Sequence, residues 1–202
     1  MAYRRTPAVE ARLAAQREAI FEAAVAVLSE SGYQGLTVAA VANRAQVATG
    51  TVYSHFSGKS DLVVAVFREI VSREVDAVND AAGPGRSAGE RIAAVIETFG
   101  GRAMRNPKLA YTLLAEPVDA AVDAERLIFR RTFADAFAAA VAAGVAAGEL
   151  APQNVPLVAA SLVGATAEVL AGPLATGQDV PGVIDDLVQF ALTAVGAAPA
   201  LR

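Results

Sequence analysis

Apolar positions return at three- and four-residue steps along nearly the whole chain, and no segment shows the strict alternation of a strand. The pattern predicts an all-α protein of about nine helices. The first runs from about Val9 to Ser31, with Ile20, Ala24, Val27 and Leu28 inward and Gly32 as its stop. A second begins at Thr37, whose hydroxyl can cap free N–H groups, and runs to about Ala45 with Val38, Val41, Ala42 and Ala45 on one face. Val47 crosses a tight turn into the same core, and Val52 and Phe56, four apart, anchor a short third helix against it. The fourth spans Ser60 to about Ala82, with Leu62, Val66, Phe67 and Ile70 on one side, and Gly83-Pro84-Gly85 ends it.

Beyond that break the spacing predicts a fifth helix from Ala88 to Arg105, stopped by Asn106-Pro107, and a short sixth from Lys108 to Glu116. A long seventh, Ala120 to Ala147, carries Phe129, Phe133 and Phe137 at four-residue steps, a stripe that serves either as core or as the lining of a ligand site. The eighth starts at Pro156 and ends near Ala171, where Gly172-Pro173 breaks it, and the ninth covers Pro181 to Val195. Ala160 and Gly164, beside Leu157, Val163 and Ala167, form a small-residue seam that lets another helix approach closely. These elements divide the chain into a three-helix head, residues 1–59, and a larger helical body, residues 60–202.

Composition narrows the function classes. The chain is 54% hydrophobic but only 6% aromatic, which suits closely packed helices. It has no cysteine for disulfides or thiolate chemistry, and its single histidine argues against a histidine metal site or triad; no cofactor or metal is expected. The longest wholly apolar run, Ala136 to Gly148, is too short to span a bilayer. The N-terminal MAYRRTPAVEARLAAQREAI has charges where a signal peptide needs an apolar core, so a cytoplasmic protein without a membrane partner is expected. Glu116, Asp119 and Asp123 are spaced like helix surface and no nucleophile–base set accompanies them, so the chain does not read as an enzyme.

The net charge of −4 speaks against nucleic acid until its distribution is considered. Residues 1–60 hold six Lys or Arg against four Glu, which leaves the acidic excess in the body and an electropositive end facing outward. Arg4 and Arg5 precede Pro7 in an arm that either reaches a DNA backbone or minor groove or has no role.

The chemistry of the third helix fits a major groove. Gly50 and Ser54 lie opposite the Val52–Phe56 anchor, with Thr51 and Tyr53 on the flanks. Gly50 lets a duplex approach the backbone, Thr49 and Thr51 can meet phosphates, base edges or a thymine methyl, and Tyr53 offers a hydroxyl. Lys59, after Ser57 and Gly58 at the start of the next helix, supplies a point charge where the dipole also favours phosphate. His55 either joins this surface or packs inward.

The pattern Leu28, Glu30, Gly32, then Gly35, Leu36 and Thr37, then Val41, Ala42, Ala45 and Val47, then GTVYSHF at 50–56 with Lys59 and Leu62, resembles the TetR family of bacterial transcriptional regulators. The resemblance covers roughly residues 12–62. It implies that Thr37, Thr49, Gly50, Thr51, Tyr53, His55 and Lys59 lie at or beside double-stranded DNA, with base readout from Thr49, Gly50 and Thr51 and phosphate contact from Thr37, Tyr53 and Lys59. Two departures stand out. Gln46 occupies a turn position where the family usually has Gly, at a cost of about 1 kcal/mol if the left-handed conformation is kept. Ala48 stands where a hydroxyl residue often caps the recognition helix.

The resemblance further implies a homodimer formed through the last two helices, reading two half-sites of a near-palindromic operator roughly 34 Å apart. It also implies a small-molecule effector in the body whose binding releases a repressor from its operator. Candidate lining groups are Phe99, Arg102, Met104, Tyr111, Leu114, Phe129 and Phe133. Glu168, a carboxylate in an apolar helix, must find a partner, face the cavity, or form a solvated edge of the dimer seam. The competing reading is a helical small-molecule carrier whose head has lost its use.

Overall fold

The computed structural model describes residues 6–178 and 180–197, which form nine α-helices and no strand. Arg4 and Arg5 lie outside the described residues. The helices are α1 Pro7–Gly35, α2 Val38–Arg44, α3 Thr49–His55, α4 Lys59–Ala81, α5 Ala88–Arg105, α6 Pro107–Leu114, α7 Ala120–Ala146, α8 Val155–Thr176 and α9 Val183–Val195.

Two apolar cores organise them. In the head, Ile20, Ala24, Val27 and Leu28 of α1 meet Val38, Val41 and Ala42 of α2, Val52 and Phe56 at α3, and Leu62, Val63, Val66 and Phe67 of α4. The periodicity located most of this core; it did not mark Phe21, Tyr33, Leu36 and Val63, and Ala45, Val47 and Ile70 are only partly buried. Leu113 and Val122 of the body join the same cluster, so head and body share a wall. The second core is built by α4 to α9 around Phe99, Phe129, Phe133 and Phe137.

Caps fix the starts of several elements. Thr37 Oγ1 accepts from Ala40 N at 3.0 Å, as expected from its position before α2. Ser87 and Glu90 form a reciprocal capping box at α5, and the Asp119 and Asn154 carboxylate and amide oxygens cap α7 and α8. Ala48 caps nothing at α3.

Three expectations need correction. Gly32 does interrupt α1, at φ 66°, but the chain resumes its helical turn to Gly35, so the residue is a kink rather than a stop. α6 ends at Leu114, two residues early, because the N–H groups of Ala115 and Glu116 both turn back to Tyr111 O at 2.9 Å. Gly172-Pro173 does not break α8, which continues to Thr176 and ends at Gly177 with φ 64°. Pro173 removes only the bond to the carbonyl of Val169, a residue on the exposed side, while Thr176 Oγ1 donates to Gly172 O at 3.1 Å.

The α2–α3 turn carries the one positive φ among the described non-glycine residues, 55° at Gln46. Val47 N donates to Ala42 O at 3.0 Å and Gln46 N to Asn43 O at 3.1 Å, the paired bonds of a Schellman end. The turn forms with glutamine in a place suited to glycine, so the strain stays in the folded state. Gln46→Gly is expected to raise stability by about 0.5–1 kcal/mol, the strain relieved less the added freedom of the unfolded chain. Ala48→Ser should add about 1 kcal/mol through the missing cap. Urea denaturation midpoints at unchanged m-value check both.

Candidate nucleic-acid interface and effector cavity

α3 is held by Val52 and Phe56, both buried, and its other side meets nothing. Thr49, Gly50, Tyr53 and Ser54 are exposed, and Thr51 is half-buried. Tyr53 is 55% exposed, unusual for an aromatic on a seven-residue helix. A Cβ added at Gly50 would find no atom within 4 Å, so no packing inside the protein requires glycine there. Ser54 Oγ donates to Thr51 O at 2.7 Å, which ties one hydroxyl to its own helix. Thr37, Asn43 and Arg44 of α2 are exposed as well, and Arg44 pairs with Glu30 at 2.7 Å.

Two predicted DNA residues point elsewhere. The half-buried His55 lies beside Phe56, with ring centroids 6.5 Å apart, and its Nε2 is buried without a hydrogen-bond partner. Lys59 turns its charge into the protein: Nζ donates to Tyr33 O at 2.7 Å and sits 4.0 Å from the centre of the Tyr33 ring. Burial lowers its pKa, against the attraction of Asp119 and Glu116. The start of α4 is taken by Asp61, which accepts from Ser57 N at 2.9 Å. Lys59 therefore acts as a strut between α1 and α4.

Lys59 belongs to a polar junction that sequence reading took for helix surface. Glu116 is only 6% exposed. Its carboxylate accepts from Tyr33 N at 2.8 Å, Gln34 N at 3.3 Å and Thr112 Oγ1 at 2.5 Å. A Cβ at Gly32 would come within 2.8 Å of Glu116 Oε2, so the kink needs glycine for room as well as for its φ. Asp119 accepts from the Tyr33 hydroxyl, from Ser60 Oγ at 2.7 Å and from Val122 N at 3.1 Å. Beneath them the buried Arg126 donates to the carbonyls of Leu113, Thr112 and Glu116 at 3.0, 3.1 and 2.7 Å, satisfying the open end of α6. The one local signal for this cluster was Asp119, three residues before Val122 at a helix start.

The charges are set by these contacts. Burial pushes the Glu116 carboxyl up, but the bonds from Thr112, Tyr33 and Gln34 outweigh it and hold it below its usual value. The Tyr33 hydroxyl holds Asp119 low, and burial with Asp119 pushes Tyr33 up to about 12.

In the body, Phe99, Leu114, Phe129 and Phe133 do gather, with Val95, Ile96, Phe137, Val163, Thr166 and Arg130, around a narrow, largely apolar cavity. Phe133 stacks edge-on against Phe99 and Phe129 at 4.8 and 4.7 Å. Arg102 lies in an adjoining cavity with Ile70, Val71, Glu74, Asn106 and Leu113. Three predicted lining groups are absent from both walls. Met104 lines a cleft at the α8–α9 connection, the half-buried Tyr111 packs on the core from α6, and Glu168 is exposed on the outer face of α8. Glu168 thus meets the need of a carboxylate for solvent rather than for a ligand.

Fold and site together define a two-lobed helical protein, a helix-turn-helix head on a body with an apolar cavity. Residues 20–66 match the sequence profile of the bacterial regulatory proteins of the tetR family. The head is thus similar to those of the bacterial regulatory proteins of the tetR family. It is 34% identical over 77 residues to the fatty acid metabolism regulator protein of Bacillus subtilis, covering 38% of this chain and 40% of that one. It is 33% identical over 110 residues to the HTH-type transcriptional repressor KstR of Mycobacterium tuberculosis, covering 54% and 50%. The chain thus spans half or less of the length of these curated relatives. The fold as a whole is shared with the transcriptional regulator FadR of Bacillus subtilis, solved in complex with stearoyl-CoA, at TM-score 0.78 and 21% identity over 88% of this chain and 98% of that one. A TetR transcription regulator of Haloarcula marismortui aligns at TM-score 0.78 and 20% identity, over 91% and 97%.

Glu116→Gln keeps the shape of the junction but leaves one oxygen to accept what two accept now. It should cost about 2 kcal/mol and speed hydrogen exchange at the Tyr33 and Gln34 amides. Because both carboxyls are depressed, their contribution is full above the ordinary carboxylate range and is lost as pH falls through the lower folded values, below about pH 4. The Tyr33 contribution goes on the other side, between about pH 10 and its folded value of about 12. Thermal melts of wild type and variant across pH 3–11 test the sign of each.

Proposed function

We propose that the protein is a homodimeric, sequence-specific DNA-binding repressor, acting in the cytoplasm and released from a near-palindromic operator by a small molecule held in the body. The observation that carries this reading is the outward face of α3: exposed Thr49, Gly50 and Tyr53 with open space over Gly50. Base readout falls to Thr49, Gly50 and Thr51, and phosphate contact to Thr37, Tyr53 and Arg44, while Lys59 fixes the α1–α4 corner that presents them. The carrier reading rested on Gln46 and Ala48, and Gln46 still closes the turn a glycine would close.

The dimer reading is supported by α8 and α9. Leu157, Ala160, Ser161, Gly164 and Glu168 make one exposed stripe of α8, and Phe190 of α9 is 53% exposed. α8 is long and apolar enough to cross a membrane by length and composition alone, with mean hydropathy 1.7 and only 22% of that stretch buried. A second subunit packed on α8 and α9 would cover these side chains. The relatives add the effector: the FadR neighbour was solved with stearoyl-CoA, and an apolar molecule suits a cavity walled by four phenylalanines.

The duplex to use is an inverted repeat sought in the DNA flanking the protein's own gene. Tyr53→Ala should lower affinity for it at least tenfold with the dimer intact. Gly50→Ala separates fold from function: it should stabilise the protein by up to about 1 kcal/mol, since glycine is a poor helix former, yet weaken operator binding. Unchanged binding by both variants in fluorescence anisotropy would remove α3 as the reading helix. The Leu157→Asp, Phe190→Asp double variant is expected to sediment as a monomer with its helix content retained.

A further inference from the structure

The two cavities of the body adjoin across Phe99, Leu114 and Phe129, and the second of them carries polar groups. Those groups are Glu74, Arg102 and Asn106. Arg102, near the end of α5, forks onto a single carboxylate: Nε to Glu74 Oε2 at 2.5 Å and Nη2 to Glu74 Oε1 at 2.8 Å. Glu74 lies on α4, the helix that leaves α3 and carries the head. Asn106 has its own work, bonding Ser29 Oγ at 2.9 Å and capping α6, which leaves Arg102 as the cation of this cavity.

We propose that the effector is an amphiphile with one anionic head, whose head takes Arg102 from Glu74 while its chain lies past Phe99 and Phe129 into the apolar end. The Arg102–Glu74 pair already displays the geometry a ligand carboxylate would use, a planar fork on two oxygens. Glu74 occupies the Nε–Nη2 edge of the guanidinium, so a ligand carboxylate that forks onto that edge displaces it. Glu74 then acts as an internal stand-in for the ligand, and its displacement unpins α4. The ligand favours the unpinned state by differential affinity, as a switch requires. Phe129 forms the partition between the two spaces and is the side chain that must turn to admit a chain. The release step rests on the repressor reading above; the binding step does not.

The test is calorimetric titration of the full chain, without DNA, with dodecanoate, dodecanol and dodecanoyl-CoA. The carboxylate is expected to bind at least about tenfold more tightly than the alcohol, and Arg102→Gln should remove that difference by weakening only the anion. Glu74→Gln, which frees Arg102, should bind dodecanoate more tightly than wild type. Arg102 dependence with dodecanoyl-CoA but none with dodecanoate would overturn the single-headed ligand, because the thioester is neutral and that molecule's charge lies on its phosphates. Equal affinity for acid and alcohol, or an Arg102→Gln variant that keeps anion affinity, would overturn it, as would weaker dodecanoate binding by Glu74→Gln. Operator release is read separately: ligand binding with no DNA binding at all would sink the repressor reading and leave the ligand class standing.

Discussion

A buried carboxylate has to be met by donors, and Glu116 finds two of its three in the head. The N–H groups of Tyr33 and Gln34 are free to turn toward it only because α1 kinks at Gly32, and the kink leaves room for the carboxylate only because residue 32 has no side chain. Tyr33 then carries the contact onward, its hydroxyl to Asp119 and its carbonyl and ring to Lys59. One local backbone excursion thereby ties α1, α4 and the α6–α7 connection into a single polar knot. The apolar wall shared through Leu113 and Val122 keeps water from competing for it.

That knot sets what the head can and cannot offer to an external partner. Lys59 is committed to Tyr33, and Asp61 already satisfies the backbone ahead of α4, so the cationic surface near α3 is thinner than the motif suggests. What remains open is the backbone at Gly50 and the hydroxyls of Thr49 and Tyr53. Such a surface relies on close fit more than on charge, which agrees with a head whose formal excess over its own acids is small.

Most of the head was legible in the sequence because its determinants are local. Thr37 caps, Val41 and Val52 bury, Gln46 strains and Ala48 fails to cap, each decided within a few residues. The caps at Ser87, Asp119 and Asn154 are equally local, each accepting from an N–H three residues on. What escaped depends on distant partners. Glu116 and Lys59 look like ordinary surface charges until residues some 80 and 26 positions away, at Tyr33, are brought beside them. Pro173 looks like a break until the carbonyl it orphans proves to belong to the exposed Val169. The cavity was half legible: the phenylalanine stripe marks it, but helical phase alone did not show that Met104, Tyr111 and Glu168 point away from it.

The same helix that walls the cavity also ends at the knot. α6 contributes Leu109, Ala110, Leu113 and Leu114 to the cavity lining, and two residues later the chain presents Glu116 to the head. Arg126 clamps the carbonyls of Thr112, Leu113 and Glu116 to α7, so this segment moves as one piece or not at all. α4 is tied to the cavity from the other side, through Glu74 on Arg102. The contacts that tie the head to the cavity walls differ in kind, among them the Glu116 hydrogen bonds and the Arg102–Glu74 ion pair. Glu116 is buried and fully bonded, hence costly to break, whereas the Arg102–Glu74 pair is partly solvated and open to exchange. A ligand that competes for charge acts on the second contact first. The first then serves as the fixed corner about which α4 can swing.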